Sequence, residues 1–193
     1  MTRKITAALM LGAITAAPVG AQTMLDKLLN RVVRPRAVAV AAPAAQASAE
    51  LTLMSAAQSA ALDKLLVAPL QDVKVAAARA EALPLIRSLL VTAACAKTAR
   101  AWNALNDRQL APETYRSPGF YDGYAAMTHM KYHDKALCLN VSRIGEWSKP
   151  AANALSFRAW LVAPDSGEAN NQGFVLQKST EGVWLIREVG HVS

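Results

Sequence analysis

Residues 155–162 read Leu-Ser-Phe-Arg-Ala-Trp-Leu-Val, so every second side chain from Leu155 is apolar. This period of two predicts a β-strand with one face in the core. Three further stretches alternate in the same way or are rich in β-branched and aromatic residues, and they predict three more strands: 137–141, 174–177 and 183–188. Turn signals at Pro164–Gly167 and Glu181-Gly182 separate the last three stretches. The carboxyl-terminal part therefore predicts a four-stranded antiparallel meander.

Helical periodicity dominates the chain before the sheet. Ser48 is a candidate N-cap for a helix, and apolar residues then recur every three or four positions until Pro69 at Leu51, Met54, Ala57, Ala61 and Leu65. Residues 71–82 predict a second helix. Pro84 suits the first turn of a helix, so residues 84–105 predict the longest one. Helices followed by a run of strands indicate an α+β fold, with N-terminal helices packed on one face of the sheet.

This order of elements, with a Trp close to the end of the sheet, resembles small cone-shaped α+β domains such as the nuclear-transport-factor-2-like group. The resemblance covers about residues 84–189 and is one of architecture, because no motif of that group occurs here. It implies a curved sheet. Several predicted strands also have apolar residues on both faces, so the face that does not cover the long helix can line a pocket or contact a partner. It implies no particular activity.

Residues 1–21 have the order of a signal peptide. Arg3 and Lys4 precede an apolar run from Ile5 to Ala17, and small residues before position 22 allow cleavage after Ala21. Residues 22–47 predict a flexible, basic, Ala-rich tail and linker. Within it, residues 24–36 can form a short basic amphipathic helix, which predicts weak contact with a membrane surface; a frayed terminus is the alternative.

The remaining residues 48–193 predict one α+β domain, with helices to about 105, an aromatic loop segment at 106–135 and the sheet at 136–189. The chain has a net charge of +7, which falls to +5 without Arg3 and Lys4. That excess is scattered and has no basic cluster interleaved with aromatic residues, so nucleic acid is not an expected partner. A protein or another envelope component is the expected partner, and the expected location is periplasmic or secreted.

The chain has two cysteines, Cys95 and Cys138. In an exported protein, two cysteines predict one disulfide. Cys95 would lie on the long helix and Cys138 on the first strand, which a helix packed on a sheet brings together. Two buried free thiols are the alternative.

All four tyrosines of the chain lie between these cysteines. Tyrosine combines an apolar ring with a hydroxyl group, which suits contact surfaces. We therefore interpret five aromatic residues as a candidate binding surface: Tyr115, Phe120, Tyr121, Tyr124 and Tyr132. The alternative is an irregular loop that uses its aromatic side chains to close one end of the core.

His129 and His133 are four residues apart, which on a helix would place both imidazoles on one face, and Asp134 is adjacent. A zinc ligand pair and a general base are two possible uses of this spacing, but no Glu follows His129 as in a metalloprotease. The sequence also lacks a phosphate-binding loop and a nucleophile elbow. Neither a metal nor a cofactor is expected.

Two hypotheses follow. The first is an exported envelope binding or accessory protein without catalytic activity that uses the Tyr-rich segment for contacts. The alternative is a small pocket enzyme in which His129 or His133 is the acid/base and Asp134 orients it.

Overall fold

The computed structural model describes residues 50–112 and 125–191, and within them the fold is α+β as predicted. Three α-helices precede the sheet: α1 (Ala56–Leu66), α2 (Val73–Cys95) and α3 (Ala99–Asn106). Short 3₁₀ turns occupy Asp107–Gln109 and Ala126–His129. Four strands follow: β1 (Asn140–Ser148), β2 (Ala154–Val162), β3 (Ala169–Lys178) and β4 (Trp184–His191).

The sheet has the order β1-β2-β3-β4, and every neighbouring pair is antiparallel. This confirms the predicted meander. On β2 the side chains that the alternation assigned to the core are buried: Leu155, Phe157, Ala159 and Leu161. α2 contacts β1, β2 and β4, and α1 contacts β1, so the helices cover one face of the sheet.

α1 begins at Ala56, so the prediction that this helix already includes Leu51 and Met54 was wrong; Ser48 itself lies outside the described residues. Ser55 is the N-cap, and it forms a capping box in which its hydroxyl accepts from the Gln58 N–H while the Gln58 side chain accepts from the Ser55 N–H. The residues just before are extended because they pair with the end of α2, where Leu51 forms a bridge with Ala96. A tertiary contact therefore overrides the apolar spacing that suggested an earlier start.

α2 is one continuous helix of 23 residues, whereas the proline at position 84 predicted a break between two helices. Pro84 lies inside α2 and is exposed. The buried side chains keep the same helical phase on both sides of it, at Val75, Ala78, Ala82, Ile86, Leu89, Leu90 and Ala93. Burial of this single stripe against the sheet outweighs the hydrogen bond that the proline removes.

β1 begins at Asn140, so Cys138 lies just before the strand and not on it. The residue after Cys138 hydrogen-bonds to α2 and not to a neighbouring strand, because the Leu139 N–H donates to the Ala94 carbonyl at the end of α2 (2.9 Å). The predicted signal peptide (1–21), tail (22–47) and basic helix (24–36) lie outside the described residues. No helix among residues 50–112 and 125–191 has the length and apolar character to cross a membrane.

Candidate functional site

The predicted disulfide is present. The sulfurs of Cys95 and Cys138 lie 2.14 Å apart, and both residues are buried. A third segment joins them, because the Thr52 N–H donates to the Cys95 carbonyl (3.0 Å) and the Gln58 amide donates to the Cys138 carbonyl (2.9 Å). The disulfide ties the carboxyl end of α2 to the lead-in to β1, and the two hydrogen bonds attach the stretch before α1 and its first turn.

Two carboxylates from the turn between β2 and β3 hold the segment that precedes Cys138. Glu168 accepts the backbone N–H groups of Lys131 and Tyr132, both at 2.8 Å. Asp165 accepts the N–H of Asp134 at 2.7 Å and meets the His133 ring at 2.6 Å. We call Asp165 and Glu168 the carboxylate clamp. Carboxylate acceptors give stronger hydrogen bonds than neutral ones, so the clamp fixes residues 131–134 against the sheet.

The clamp carboxylates stay ionised. The Asp134 N–H and then the His133 side chain hold the pKa of Asp165 far below its usual range. At Glu168, desolvation acts to raise the pKa, but hydrogen bonds from the Tyr132 and Lys131 N–H groups outweigh it and the pKa is lowered. The turn that carries both residues is itself closed by hydrogen bonds between Ala163 and Glu168 (2.8 Å) and between Gly167 and Ala163 (3.0 Å).

His133 is a structural part of this arrangement. Its side chain is fully buried, with Nδ1 against Asp165 Oδ1 and Nε2 2.9 Å from the Leu137 carbonyl oxygen. Both neighbouring atoms are oxygens, and each lies within hydrogen-bond distance of one ring nitrogen. With both nitrogens engaged and the ring out of solvent, His133 presents no free nitrogen to a substrate.

The structure does not bring His129, His133 and Asp134 together as a catalytic set. The 3₁₀ turn ends at His129, so the two histidines do not share a helical face: His129 is exposed and His133 is buried. The Asp134 carboxylate accepts the Ala136 N–H (2.9 Å), whereas the carboxylate that orients His133 belongs to Asp165. No three His, Cys, Asp or Glu side chains in the described part of the chain form a group that could hold a metal ion.

Of the five aromatic residues predicted to form a binding surface, Tyr132 lies within the described residues. Its backbone is held by Glu168, yet its side chain is 71% exposed, with Lys131 Nζ 5.0 Å from the ring centroid. The other four predicted contact residues lie outside the described residues: Tyr115, Phe120, Tyr121 and Tyr124.

The turn signals at Pro164–Gly167 predicted the turn but gave no role to Asp165 or Glu168. The one available signal was their position, two carboxylates three residues apart in a turn that also contains Ser166 and Gly167. Comparisons of the chain with protein-family models, with curated proteins and with solved structures find no match.

Proposed function

We propose that this protein is an exported binding or accessory protein of the cell envelope, without catalytic activity, and that its Tyr-rich segment contacts the partner. The observation that carries the proposal is Tyr132, whose backbone is fixed by the carboxylate clamp while its ring stands in solvent. Tyrosine pairs an apolar ring with a hydroxyl group and is enriched at protein interfaces, so an exposed one on an ordered backbone suits a contact surface.

The anchoring of the segment favours binding over a passive loop. The Cys95–Cys138 bond fixes the segment after its last residues, and the clamp fixes it at 131–134. A contact residue that is already ordered loses little conformational entropy when the partner binds, which improves affinity. Tyrosine adds to this effect because it has few rotatable bonds for the area that it buries.

The hydrogen bonds of His133 weigh against this residue as the acid/base of the enzyme alternative. A general base needs a nitrogen within reach of the substrate proton, and His133 directs its two nitrogens at Asp165 and at the Leu137 carbonyl. The residue that was to orient the histidine, Asp134, binds its own turn instead.

The proposed location is the periplasm or the extracellular space. It is supported by the order of residues 1–21 and by a disulfide, since such bonds persist in oxidising compartments. Residues 24–36 would add weak contact with an anionic membrane surface in that location.

Capture of envelope components on the tagged, exported protein tests the proposal. Photocrosslinking from position 132 identifies the partner, and the same partner is then titrated against Tyr132→Ala. We expect its affinity to fall about thirtyfold, which is the loss of about 2 kcal/mol typical of an aromatic hot spot.

Tyr132→Phe keeps the ring and should retain most of the affinity. Val67→Ala removes an exposed apolar side chain elsewhere and is the matched control. Tyr121→Ala tests the rest of the segment. If Tyr132→Ala and Tyr121→Ala both capture the same components with unchanged affinity, the proposal is wrong.

A further inference from the structure

A cleft of about 730 Å³ lies between the start of α2, the turn from β1 to β2 and the β3–β4 end of the sheet. Three lysines from these three elements line it: Lys74, Lys149 and Lys178. Its apolar surface comes from Trp184 and from alanines of α2, including Ala77 and Ala78. We call it the lysine cleft. Ligand cavities usually have volumes of about 300–1,000 Å³, so this cleft has the size for a small molecule.

The two acids in the lysine cleft are already engaged by the protein. The Glu81 carboxylate accepts from Lys178 Nζ (2.7 Å) and from the Trp184 indole N–H (3.3 Å), so it fixes one wall of the cleft. Asp72 is the N-cap of α2 and accepts the N–H groups of Lys74 and Val75. With three lysines against two carboxylates, the cleft keeps a formal net charge of +1.

The lysines keep donors to spare. An ammonium group has three N–H donors. Lys149 Nζ donates to the Ala152 carbonyl (2.7 Å) and Lys178 Nζ to Glu81, while no acceptor within the described residues is bound to Lys74 Nζ. Hydrogen bonds from ammonium groups to an oxyanion are charge-assisted and stronger than neutral ones.

We propose that the lysine cleft binds a small molecule with a phosphate or carboxylate group, which lies between Lys74, Lys149 and Lys178 while the apolar part of the ligand rests on Trp184 and the α2 alanines. Cations from three elements in one cleft favour a placed anion over diffuse surface charge. Lys74 lies on α2 and Lys178 on β3, and helix and strand positions hold a site more precisely than loops do. Tyr132 does not line the lysine cleft, so a negative result for this binding site would leave the proposed function unaffected.

Phenyl phosphate and benzoate are suitable probes, because each joins one anionic group to one flat ring. Binding is measured with the folded protein by NMR, from the Trp184 indole N–H resonance, and by calorimetry. We expect a saturable shift of that resonance, and binding that weakens as salt is raised. The absence of a saturable shift with both probes would overturn the proposal.

A double variant, Lys74→Gln with Lys149→Gln, should lower probe affinity by about tenfold or more, since it removes two charge-assisted contacts. Lys64→Gln with Lys97→Gln changes the net charge equally at two lysines outside the cleft and should leave the affinity within about twofold. Equal losses in the two double variants would show general electrostatic attraction and no site.

Vesicles identify the source of the anionic group. If phosphatidylglycerol vesicles bind with the same dependence on Lys74 and Lys149, and phosphatidylcholine vesicles do not, the ligand is a lipid headgroup. Binding of the soluble probes alone indicates a free small molecule.

Discussion

Removal of the Cys95–Cys138 bond should lower the free energy of unfolding by about 4 kcal/mol. The two residues are 43 positions apart in the chain, and in the loop-entropy treatment the unfolded state regains about 13 cal/mol/K when a loop of that size is opened. At 25 °C this amounts to about 4 kcal/mol. For a domain of about 140 residues the unfolding entropy is about 0.3 kcal/mol/K, so the melting temperature should fall by about 13 °C.

Urea denaturation of the oxidised and the reduced protein measures this difference on one sequence. Both sulfurs are buried, so the protein is reduced while unfolded and then refolded with reductant present. The reduced protein should also show a larger m-value, because its unfolded state exposes more surface. Cys95→Ala with Cys138→Ala serves as a second form that cannot reoxidise. Equal stability of the oxidised and reduced protein, with equal m-values, would refute the reasoning.

Three further changes have defined outcomes. Asp165→Asn should destabilise the protein at pH 7 and make its stability less sensitive to acid. The pKa of Asp165 is lowered in the folded protein, so its carboxylate stabilises the fold at pH values above the unfolded-state pKa of about 4, and this stabilisation is lost as the pH falls further. Denaturation of both proteins between pH 3 and 7 checks this, and an unaltered pH dependence would contradict it. Pro84→Ala should stabilise α2 by about 2 kcal/mol, since the new N–H can bond to the Ala80 carbonyl while the unfolded chain gains some freedom; a lower melting temperature would show that Pro84 has another role. Ser55→Ala should cost about 1 kcal/mol by removing the capping box of α1, seen as a lower urea midpoint at constant m-value.

The sheet could be read from the sequence because its signal is local. The alternation along 155–162 by itself identifies which side chains of β2 face the core, and these side chains are buried. The turn at Pro164–Gly167 then predicts that β2 pairs with β3. The start of β1 was harder to predict. Leu137 and Leu139 continue the alternation, but the Leu139 N–H donates to the Ala94 carbonyl of α2. A local sequence pattern does not indicate a hydrogen-bond partner so distant in sequence.

The helices show how a strong local rule can mislead. Proline normally begins or ends a helix, so the rule places a boundary at Pro84. The better signal was the phase of the apolar residues, since Ala82 and Ile86 fall on the stripe that begins at Val75. A helix whose buried face is in register on both sides of a proline gains more from packing than it loses in one hydrogen bond.

The carboxylate clamp could not have been predicted, and the reason is chemical. Asp165 and Glu168 bind backbone N–H groups at residues 131–134, and every residue except proline has such a group. The identity of a residue therefore does not indicate that its backbone N–H binds a carboxylate. His133 is the exception, but its nearest acid in sequence is Asp134, and proximity along the chain suggested the wrong carboxylate.

The disulfide and the carboxylate clamp stabilise the same segment in different ways, because one acts on the unfolded state and the other on the folded state. The bond acts mainly on the unfolded chain, where it restricts a long loop, and it says little about how residues 131–134 lie in the folded protein. The clamp acts on the folded state, where it orders the backbone beneath Tyr132. The proposed contact surface needs both, because its side chain must be in solvent while its backbone stays in place. Tyr132 meets both conditions, since its ring is exposed and its backbone N–H is held by Glu168.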